Sequence, residues 1–452
     1  NNFSAPAMIN FKPSTYIGYD AETMNVQSSS YVVYQEGIYV GYKYYETRYE
    51  DMVMGTGNTA NYQYHNDVAY PFGFGLSYTE FEFSNMSGSY NAETDQFVIK
   101  VTVTNTGDTY SGKKTVQVYS QSPYTEYDKA NGVEKSSVAL CGFAKTDVLA
   151  PGESQEVTVY IDKSDLTSYD AYGKGTYILD EGDYYLAVAE NAHDAVNQML
   201  ATKGYTVENT DGRMDADGNA SLAYKWNQPT FDATTYAVSL NGTKIENQFN
   251  DADLNLYDDC EATVTYLTRN DWTGTFPQEA PVLTLTDEMK EQLKTIVYES
   301  VESGVEMPTL EADNGLNLYD MIGKDFDDPD WELLLDQMSV EEMIALISDS
   351  FHWTMPVESV NAPGTRDENG PSGLTASLFG DGSYSTTAFT SEDVMAATFN
   401  LELMEEVGNI IGNDCLNSGV AFLYGTGANI HRTPYSGRNF EYYSEDATLS
   451  AE

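Results

Sequence analysis

The sequence predicts a multi-domain fold of the α/β plus all-β class. Three observations lead to this prediction. The chain has 452 residues, which is enough for about three domains of usual size. Residues from about 80 to 195 alternate apolar and polar side chains with period two, as strands with one buried face do. Residues beyond 329 instead combine helical spacing with a short, wholly apolar run.

The all-β prediction rests on alternation and on turn signals. Phe97, Ile99, Val101 and Val103 fall on one face of a strand, and residues 115–119 and 157–161 behave similarly. Glycine-containing turns separate such runs. Residues 80–195 are therefore predicted to form a small two-layer antiparallel β-sandwich.

The α/β prediction rests on the last part of the chain. Ser339, followed three residues later by Glu342, forms a capping box at a helix start, with 343, 344 and 347 as its apolar stripe. A second helix is predicted from Asn400 to about Asn413, and residues 420–424 (VAFLY) read as a strand buried on both faces. Helix followed by buried strand is typical of parallel α/β domains.

The other two stretches are less clearly patterned. Residues 31–45 are rich in Tyr and Gly and predict strand and loop. Residues 196–328 are largely polar and predict an extended connection with one helix near 286–300. Within that connection, Asp215 begins a calcium-loop-like pattern, but Ala220 and Trp226 occupy the positions that need Gly and Glu, which favours an ordinary polar loop.

Charge and cysteine content exclude some classes of protein. The net charge of −49 would repel nucleic acids and anionic lipids, so neither is an expected partner. The acidity also fits adaptation to a salty or acidic setting, although a solvated soluble surface is the simpler interpretation. Cys141, Cys260 and Cys415 are too scattered for a metal motif and are expected to be buried hydrophobes. No membrane span or targeting segment is recognisable, and localisation stays open.

Three groups of motifs resemble signatures of glycoside hydrolase family 3, whose members include β-glucosidases. They are residues 32–47 (VVYQEGIYVGYKYYET) with 68–84 (VAYPFGFGLSYTEFEFS); residues 101–119 (VTVTNTGDTYSGKKTVQVY) with 141–159 (CGFAKTDVLAPGESQEVTV); and residues 370–377 (GPSGLTAS) with 387–408 (TAFTSEDVMAATFNLELMEEVG) and 427–450 (GANIHRTPYSGRNFEYYSEDATLS).

The resemblance implies a domain for each stretch. Residues 1–79 would be the end of an α/β sandwich, 80–195 a fibronectin III-like β-sandwich, 196–328 the connection, and 329–452 the opening units of a (β/α)8 barrel. The barrel motifs come last, which is a permuted order within the family. Eight strands close such a barrel, so the remainder of the same protein or a second chain is expected to complete it.

The resemblance also implies an activity. The complete protein would be a retaining glycoside hydrolase that removes terminal β-linked glucose, or xylose, from oligosaccharides or glycosides, with no cofactor and no metal. Its two catalytic carboxylates are expected outside this chain, so that the chain alone is inactive. The alternative is a non-catalytic carbohydrate-binding or structural fragment. Asp271 and Glu36 resemble catalytic residues locally, but their positions favour structural roles.

The sugar-binding residues implied by the resemblance lie in the last part. Arg438 matches the family arginine that contacts the sugar, with an ordinary surface arginine as the alternative. Asn369 takes the place of the aspartate in the family motif Asp-Gly-Pro-x-Gly-Leu-Arg, and Thr375 takes that of its arginine, so the contact is expected to pass to Asn369 or to Asp367. Arg432, like His431 beside it, is expected to be structural.

Overall fold

A short hairpin is the first element in the described part of the chain. The structure is a computed structural model that describes residues 17–20, 25–28, 34–248, 264–277, 307–375, 384–432 and 436–452. Strands β1 (Ile17–Asp20) and β2 (Asn25–Ser28) pair antiparallel. The helix predicted near 286–300 and Cys260 lie outside the described residues.

A tyrosine-rich helix follows, where the sequence had predicted strand and loop. Helix α1 (Tyr42–Met54) begins after Gly41 and ends at Gly55, and both glycines have positive φ, at 57° and 74°. The prediction was wrong because this helix is buried on nearly every side, so its sequence lacks the polar face that reveals a surface helix. A single turn, α2 (Tyr64–Asp67), comes next.

The middle of the chain forms two facing antiparallel sheets. One has the order β3-β4-β7 and the other β11-β10-β5-β6. The elements of this region are β3 (Phe81–Asn91), β4 (Gln96–Asn105), β5 (Thr115–Gln121), α3 (Glu126–Asn131), β6 (Ala139–Lys145), β7 (Ser154–Asp162), β8 (Ser168–Asp170), β9 (Thr176–Ile178), β10 (Gly182–Ala189), α4 (Ala192–Thr202) and β11 (Ala223–Gln228).

The core of the sandwich confirms the period-two prediction. Phe97, Ile99, Val101 and Val103 are all buried in one cluster, against apolar residues of the opposite sheet such as Val118. The sandwich extends past its predicted end at 195, because β11 pairs with β10 from within the predicted connection. A strand of six residues gives little periodicity to detect.

A buried charge network anchors residues 264–277 to α1. The Arg269 guanidinium donates to Asp51 at 2.5 Å and to Glu50 at 3.2 Å. Trp272, at the start of the short helix α5 (Trp272–Thr275), is fully buried and donates its indole N–H to Asp51 at 2.8 Å. Asp271 caps the same helix by accepting from the Gly274 N–H. These contacts give Asp271 and Trp272 structural roles, and for Asp271 the sequence had predicted one.

The last part of the chain contains one parallel βαβ unit. Strand β13 pairs antiparallel with β12 and parallel with β14. The elements are α6 (Asp330–Leu335), α7 (Val340–Ser348), β12 (Trp353–Thr354), β13 (Thr365–Asn369), α8 (Glu392–Ala396), α9 (Leu401–Ser418), β14 (Phe422–Tyr424) and α10 (Ala447–Ala451). The capping box of Ser339 and Glu342 is confirmed at the start of α7. In the described part of the chain, every helix is too short or too polar to cross a membrane.

The burial predicted for this part is confirmed at Ile411 and Val420 but was wrong at several other positions. Strand β14 was expected to be buried on both faces, yet Phe422 is 57% exposed. Ile344 and Ile347 of α7 and Leu403 of α9 are exposed as well, although each belongs to a predicted apolar stripe. Among the described residues, β14 has β13 as its single neighbouring strand, so its outer edge and these helix faces are not covered.

Tyr42 joins the three parts of the molecule. From the start of α1, its hydroxyl donates to Asp446 Oδ2 at 2.7 Å and accepts from the Leu140 N–H of β6 at 2.9 Å. Asp446 in turn caps α10 by accepting from the Leu449 N–H. Burial, together with the charge of Asp446, holds the pKa of Tyr42 well above its ordinary value, so the phenol remains a donor.

Replacing Tyr42 with Phe is therefore expected to lower the free energy of unfolding by about 1 to 3 kcal/mol, because two buried polar groups lose their partner. Urea unfolding followed by tryptophan fluorescence measures this change. Tyr160→Phe is the matched control. Because Tyr160 is exposed, loss of its hydroxyl should lower the free energy of unfolding by less than about 0.5 kcal/mol. Equal costs for the two variants would contradict the role assigned to Tyr42.

A buried histidine links α1 to α4. His193 lies between Glu46 and Asp215, with each ring nitrogen 2.8 Å from a carboxylate oxygen, and its ring stacks on Tyr64 at 4.0 Å. Burial opposes the charged ring, but the two carboxylates prevail and raise the pKa of His193 to about 10. The Asp215 carboxylate is thus held by protein groups within its polar loop.

Because the folded-state pKa of His193 exceeds the ordinary value of about 6.5, the stability it provides is complete below about pH 6.5 and is lost as the pH rises toward 10. His193→Gln should cost about 3 to 5 kcal/mol at pH 6, since it removes the cation beside the buried Glu46 carboxylate. In urea unfolding, the difference in unfolding free energy between His193→Gln and the wild type should become smaller as the pH rises. His65→Gln is the control, because that exposed ring contacts the same Asp215. If the difference in unfolding free energy between His193→Gln and the wild type did not change with pH, the charge assigned to His193 would be refuted.

Candidate functional site

The parallel strands β13 and β14 place two loops side by side. Asn369 and Tyr424, the last residues of the two strands, are register partners. The Gly370 N–H donates to the Tyr424 carbonyl at 3.1 Å, and a Cβ on Gly425 would lie 3.1 Å from the Gly370 carbonyl oxygen. Loops at the carboxyl ends of parallel strands are where α/β folds build ligand sites.

The loop after β13 presents Asn369. Its carbonyl accepts from the Thr375 N–H at 2.7 Å and from the Thr375 hydroxyl at 3.2 Å, which closes the loop on itself. Gly373 makes this closure possible, because its φ is 110° and a Cβ there would lie 2.3 Å from the Thr387 carbonyl oxygen. Within the part of the chain that the structure describes, the Asn369 side-chain amide has no hydrogen-bond partner.

Asp367 lies one pleat before Asn369 on the same face of β13. It is buried, and its carboxylate accepts from the Thr365 hydroxyl at 3.2 Å. On the opposite face, Glu368 accepts from the Tyr384 hydroxyl at 2.8 Å and from Arg366 Nε at 3.2 Å. Sequence reasoning did not single out Glu368, because an acidic residue in a strand carries no signal of its burial.

Arg438 lies in the loop that follows β14. Its side chain is 69% exposed, and its Nε donates to Glu441 Oε2 at 2.6 Å across the 3-10 turn Asn439–Glu441. Gly427 and Tyr442 form a parallel bridge on either side of this loop. The His431 ring, which is buried, contacts the Asn439 carbonyl at 2.7 Å and so fixes the turn. The sequence did not identify Glu441, whose role depends on a local turn.

Arg432 and Glu36 are each other's partners, as their predicted structural roles require. Arg432 Nε donates to Glu36 Oε1 at 2.8 Å, and the guanidinium lies 3.8 Å from the centroid of the Tyr34 ring. The Glu36 carboxylate is fully buried. This ion pair ties the loop that carries Arg438 to the segment that precedes α1.

The described residues contain no cluster of three or more His, Cys, Asp or Glu side chains arranged to hold a metal ion. Cys141 is buried, and its thiol lies 3.4 Å from the Val118 carbonyl oxygen, in agreement with its predicted role as a buried hydrophobe. Cys415 is half-buried.

Comparison with known proteins gives a consistent result. Residues 114–192 match the fibronectin type III-like domain. The chain is 29% identical over 426 residues to a β-glucosidase of Ruminococcus albus, an alignment that covers 92% of this chain and 37% of that protein. It is 28% identical over 468 residues to β-glucosidase A of Butyrivibrio fibrisolvens, covering 94% of this chain and 48% of that protein.

The overall structure is similar to the crystal structure of a β-glucosidase from Paenibacillus barengoltzii. The TM-score is 0.58 at 23% identity, and the similarity covers 98% of this chain and 43% of that one. At this identity the likeness concerns the fold. The chain thus spans less than half the length of each of these three proteins.

The fold and these comparisons define a multi-domain α/β plus β protein with a fibronectin type III-like sandwich. Within that class, the chain is similar to two β-glucosidases over more than nine tenths of its length, in agreement with its resemblance to glycoside hydrolase family 3. Because both long alignments cover nearly the whole chain, the order of its segments is shared with those two relatives.

Proposed function

We propose that the whole protein is a retaining glycoside hydrolase that removes terminal β-linked glucose, or xylose, from oligosaccharides or glycosides. The observation that carries this proposal is the similarity of more than nine tenths of the chain to two β-glucosidases. The placement of Asn369 at the carboxyl end of β13, beside β14, supports it. A non-catalytic fragment is not favoured, since the relatives are enzymes by name.

In this proposal the chain supplies part of the sugar-binding surface. Glu441 engages Nε and one terminal nitrogen of Arg438, which leaves the N–H groups on the other terminal nitrogen for sugar hydroxyls. The Asn369 amide accepts one hydrogen bond and donates others, so it serves a hydroxyl in either sense. Asp367 lies one pleat before Asn369 on the same face of β13. It is expected either to hold Asn369 in place or to bind the sugar instead of Asn369.

Retaining hydrolysis uses two carboxyl groups about 5 to 5.5 Å apart, one as nucleophile and one as proton donor. Both are proposed to lie outside these 452 residues. Asp271 is engaged as a helix cap and accepts from the Asn58 amide at 2.6 Å. Glu36 is engaged by Arg432.

A pair of arginine variants in the whole protein tests the role of Arg438. Arg438→Ala should lower kcat/KM for an aryl β-glucoside about ten- to a hundredfold, because a charged hydrogen bond worth about 1.5 to 3 kcal/mol is lost. Its stability should change by less than about 1 kcal/mol, since the side chain is exposed. Lys at 438 keeps the charge but not the planar fork, so it should restore the activity only in part.

Arg432→Ala is the matched variant from the same loop and should show the opposite pattern. It leaves the buried Glu36 unpaired and should cost about 3 kcal/mol of stability, with a smaller loss of kcat/KM than Arg438→Ala. Thermal unfolding and steady-state kinetics on both variants give the two readouts. Small and equal kinetic losses would remove Arg438 from the site.

The chain by itself should not hydrolyse an aryl β-glucoside, because the proposed nucleophile and proton donor are elsewhere. The measurement is release of the aryl group by the purified 452-residue chain. Turnover that disappeared in Asp271→Asn would show that Asp271 is a catalytic residue and that its structural assignment is wrong.

A further inference from the structure

Glu392 is a buried carboxyl without a hydrogen-bond partner. It is the first residue of α8 and is fully buried. Neither of its carboxyl oxygens has a hydrogen-bond partner in the described part of the chain. Buried polar groups are nearly always paired, and an unpaired buried charge is costly. Such a group therefore calls for an explanation.

The groups around Glu392 connect it to Arg438. Helix α8 packs on the 3-10 turn Asn439–Glu441. The negative charge of Glu441 in this turn raises the pKa of Glu392. Glu441 also holds the Arg438 guanidinium. The charge of Glu392 contributes to raising the pKa of Tyr443. The Gly427 N–H, in the loop after β14, faces the Glu392 carboxyl without completing a hydrogen bond. Asp393, on α8 itself, is exposed.

These surroundings favour the neutral carboxyl. Burial, reinforced by the charge of Glu441 and only partly offset by the Gly427 N–H, raises the pKa of Glu392 to about 7. Below that pH, the negative charge that acts on the Glu392 carboxyl is that of Glu441, and Arg438 balances it. Above that pH, a second buried negative charge lies beside Glu441 with no cation of its own, and the two carboxylates repel each other.

We propose that Glu392 is a positioning residue of the sugar site: only while its carboxyl keeps its proton does α8 hold the turn Asn439–Glu441, and with it Arg438, in place for the sugar. This inference rests on the proposed role of Arg438 in sugar binding. The proton on Glu392 is then a condition for the geometry of the site, and loss of that proton separates the turn from α8.

The test is the pH dependence of kcat/KM for an aryl β-glucoside between pH 5 and 9, in the whole protein. Gln at 392 has the shape of the protonated carboxyl and stays neutral. At pH 8, about one unit above the titration, the wild type should retain about one tenth of its protonated form, so Glu392→Gln should exceed it about tenfold. Glu341→Gln is the matched control, because Glu341 lies in the exposed first turn of α7, and it should follow the wild-type profile.

A second readout uses the 452-residue chain and needs no activity. The folded-state pKa of Glu392 lies above the ordinary value of 4.5, so the free energy of unfolding of the wild type should fall as the pH rises from about 4.5 to about 7. Relative to Glu392→Gln, the wild type should therefore lose stability across that window in urea unfolding. A constant difference between the two proteins would show that Glu392 does not titrate there, and would overturn the inference.

Arg438→Ala separates the failure of this inference from that of the proposed function. If Arg438→Ala keeps full kcat/KM, the sugar-binding role of Arg438 fails, and the inference with it. If Arg438→Ala loses activity while Glu392→Gln and the wild type share one pH profile, the positioning role of Glu392 fails and the proposed function stands. If Glu392→Gln does not fold, a wild-type profile without a loss of about fivefold between pH 7 and 8 also overturns the inference.

Discussion

The hydroxyl of Tyr42 is the interaction on which the arrangement of the three parts depends. A single buried phenol donates to Asp446 and accepts from Leu140, and so it joins the start of α1, the sandwich strand β6 and the cap of α10. Without it, the buried Leu140 N–H would lose its acceptor and Asp446 Oδ2 would lose its hydroxyl donor. The geometry of one side chain therefore fixes the position of the last segment against the first, which packing of apolar surface alone would leave free to slide.

Further contacts hold the last part of the chain, which contains the candidate site, against the sandwich and against the segment before α1. The Thr448 hydroxyl donates to the Leu140 carbonyl at 3.0 Å, and Lys145 of β6 donates to the Thr398 carbonyl between α8 and α9. Arg432 adds its ion pair with Glu36. The fibronectin type III-like sandwich thus contacts the last part of the chain at α10 and between α8 and α9. A rigid support of this kind would suit the proposed sugar site, because small displacements of donors are costly.

Features that depend on a local sequence pattern could be predicted. The strands around Phe97 and Val103 and the capping box of Ser339 follow from spacing alone, and the structure confirms them. Helix α1 was missed because burial on nearly every side removes amphipathic periodicity. The structural role of Arg432 was predicted, but its partner Glu36 is 396 positions away, and no local pattern encodes such a pairing. The sugar-binding roles of Arg438, Asn369 and Asp367 come from resemblance and remain predictions.

The acidity of the chain bears on the kind of sugar that the proposed site would accept. With 71 acidic and 22 basic residues, the surface potential is negative, and it repels an anionic saccharide before any contact forms. An uncharged glucoside or xyloside does not experience this repulsion, so it needs no cationic surface, only donors and acceptors at the right places. Arg438 supplies donors while Glu441 balances its charge, which leaves the site without a strong field of its own. If the proposed function holds, the net charge of this chain therefore favours a neutral glycoside over an anionic one.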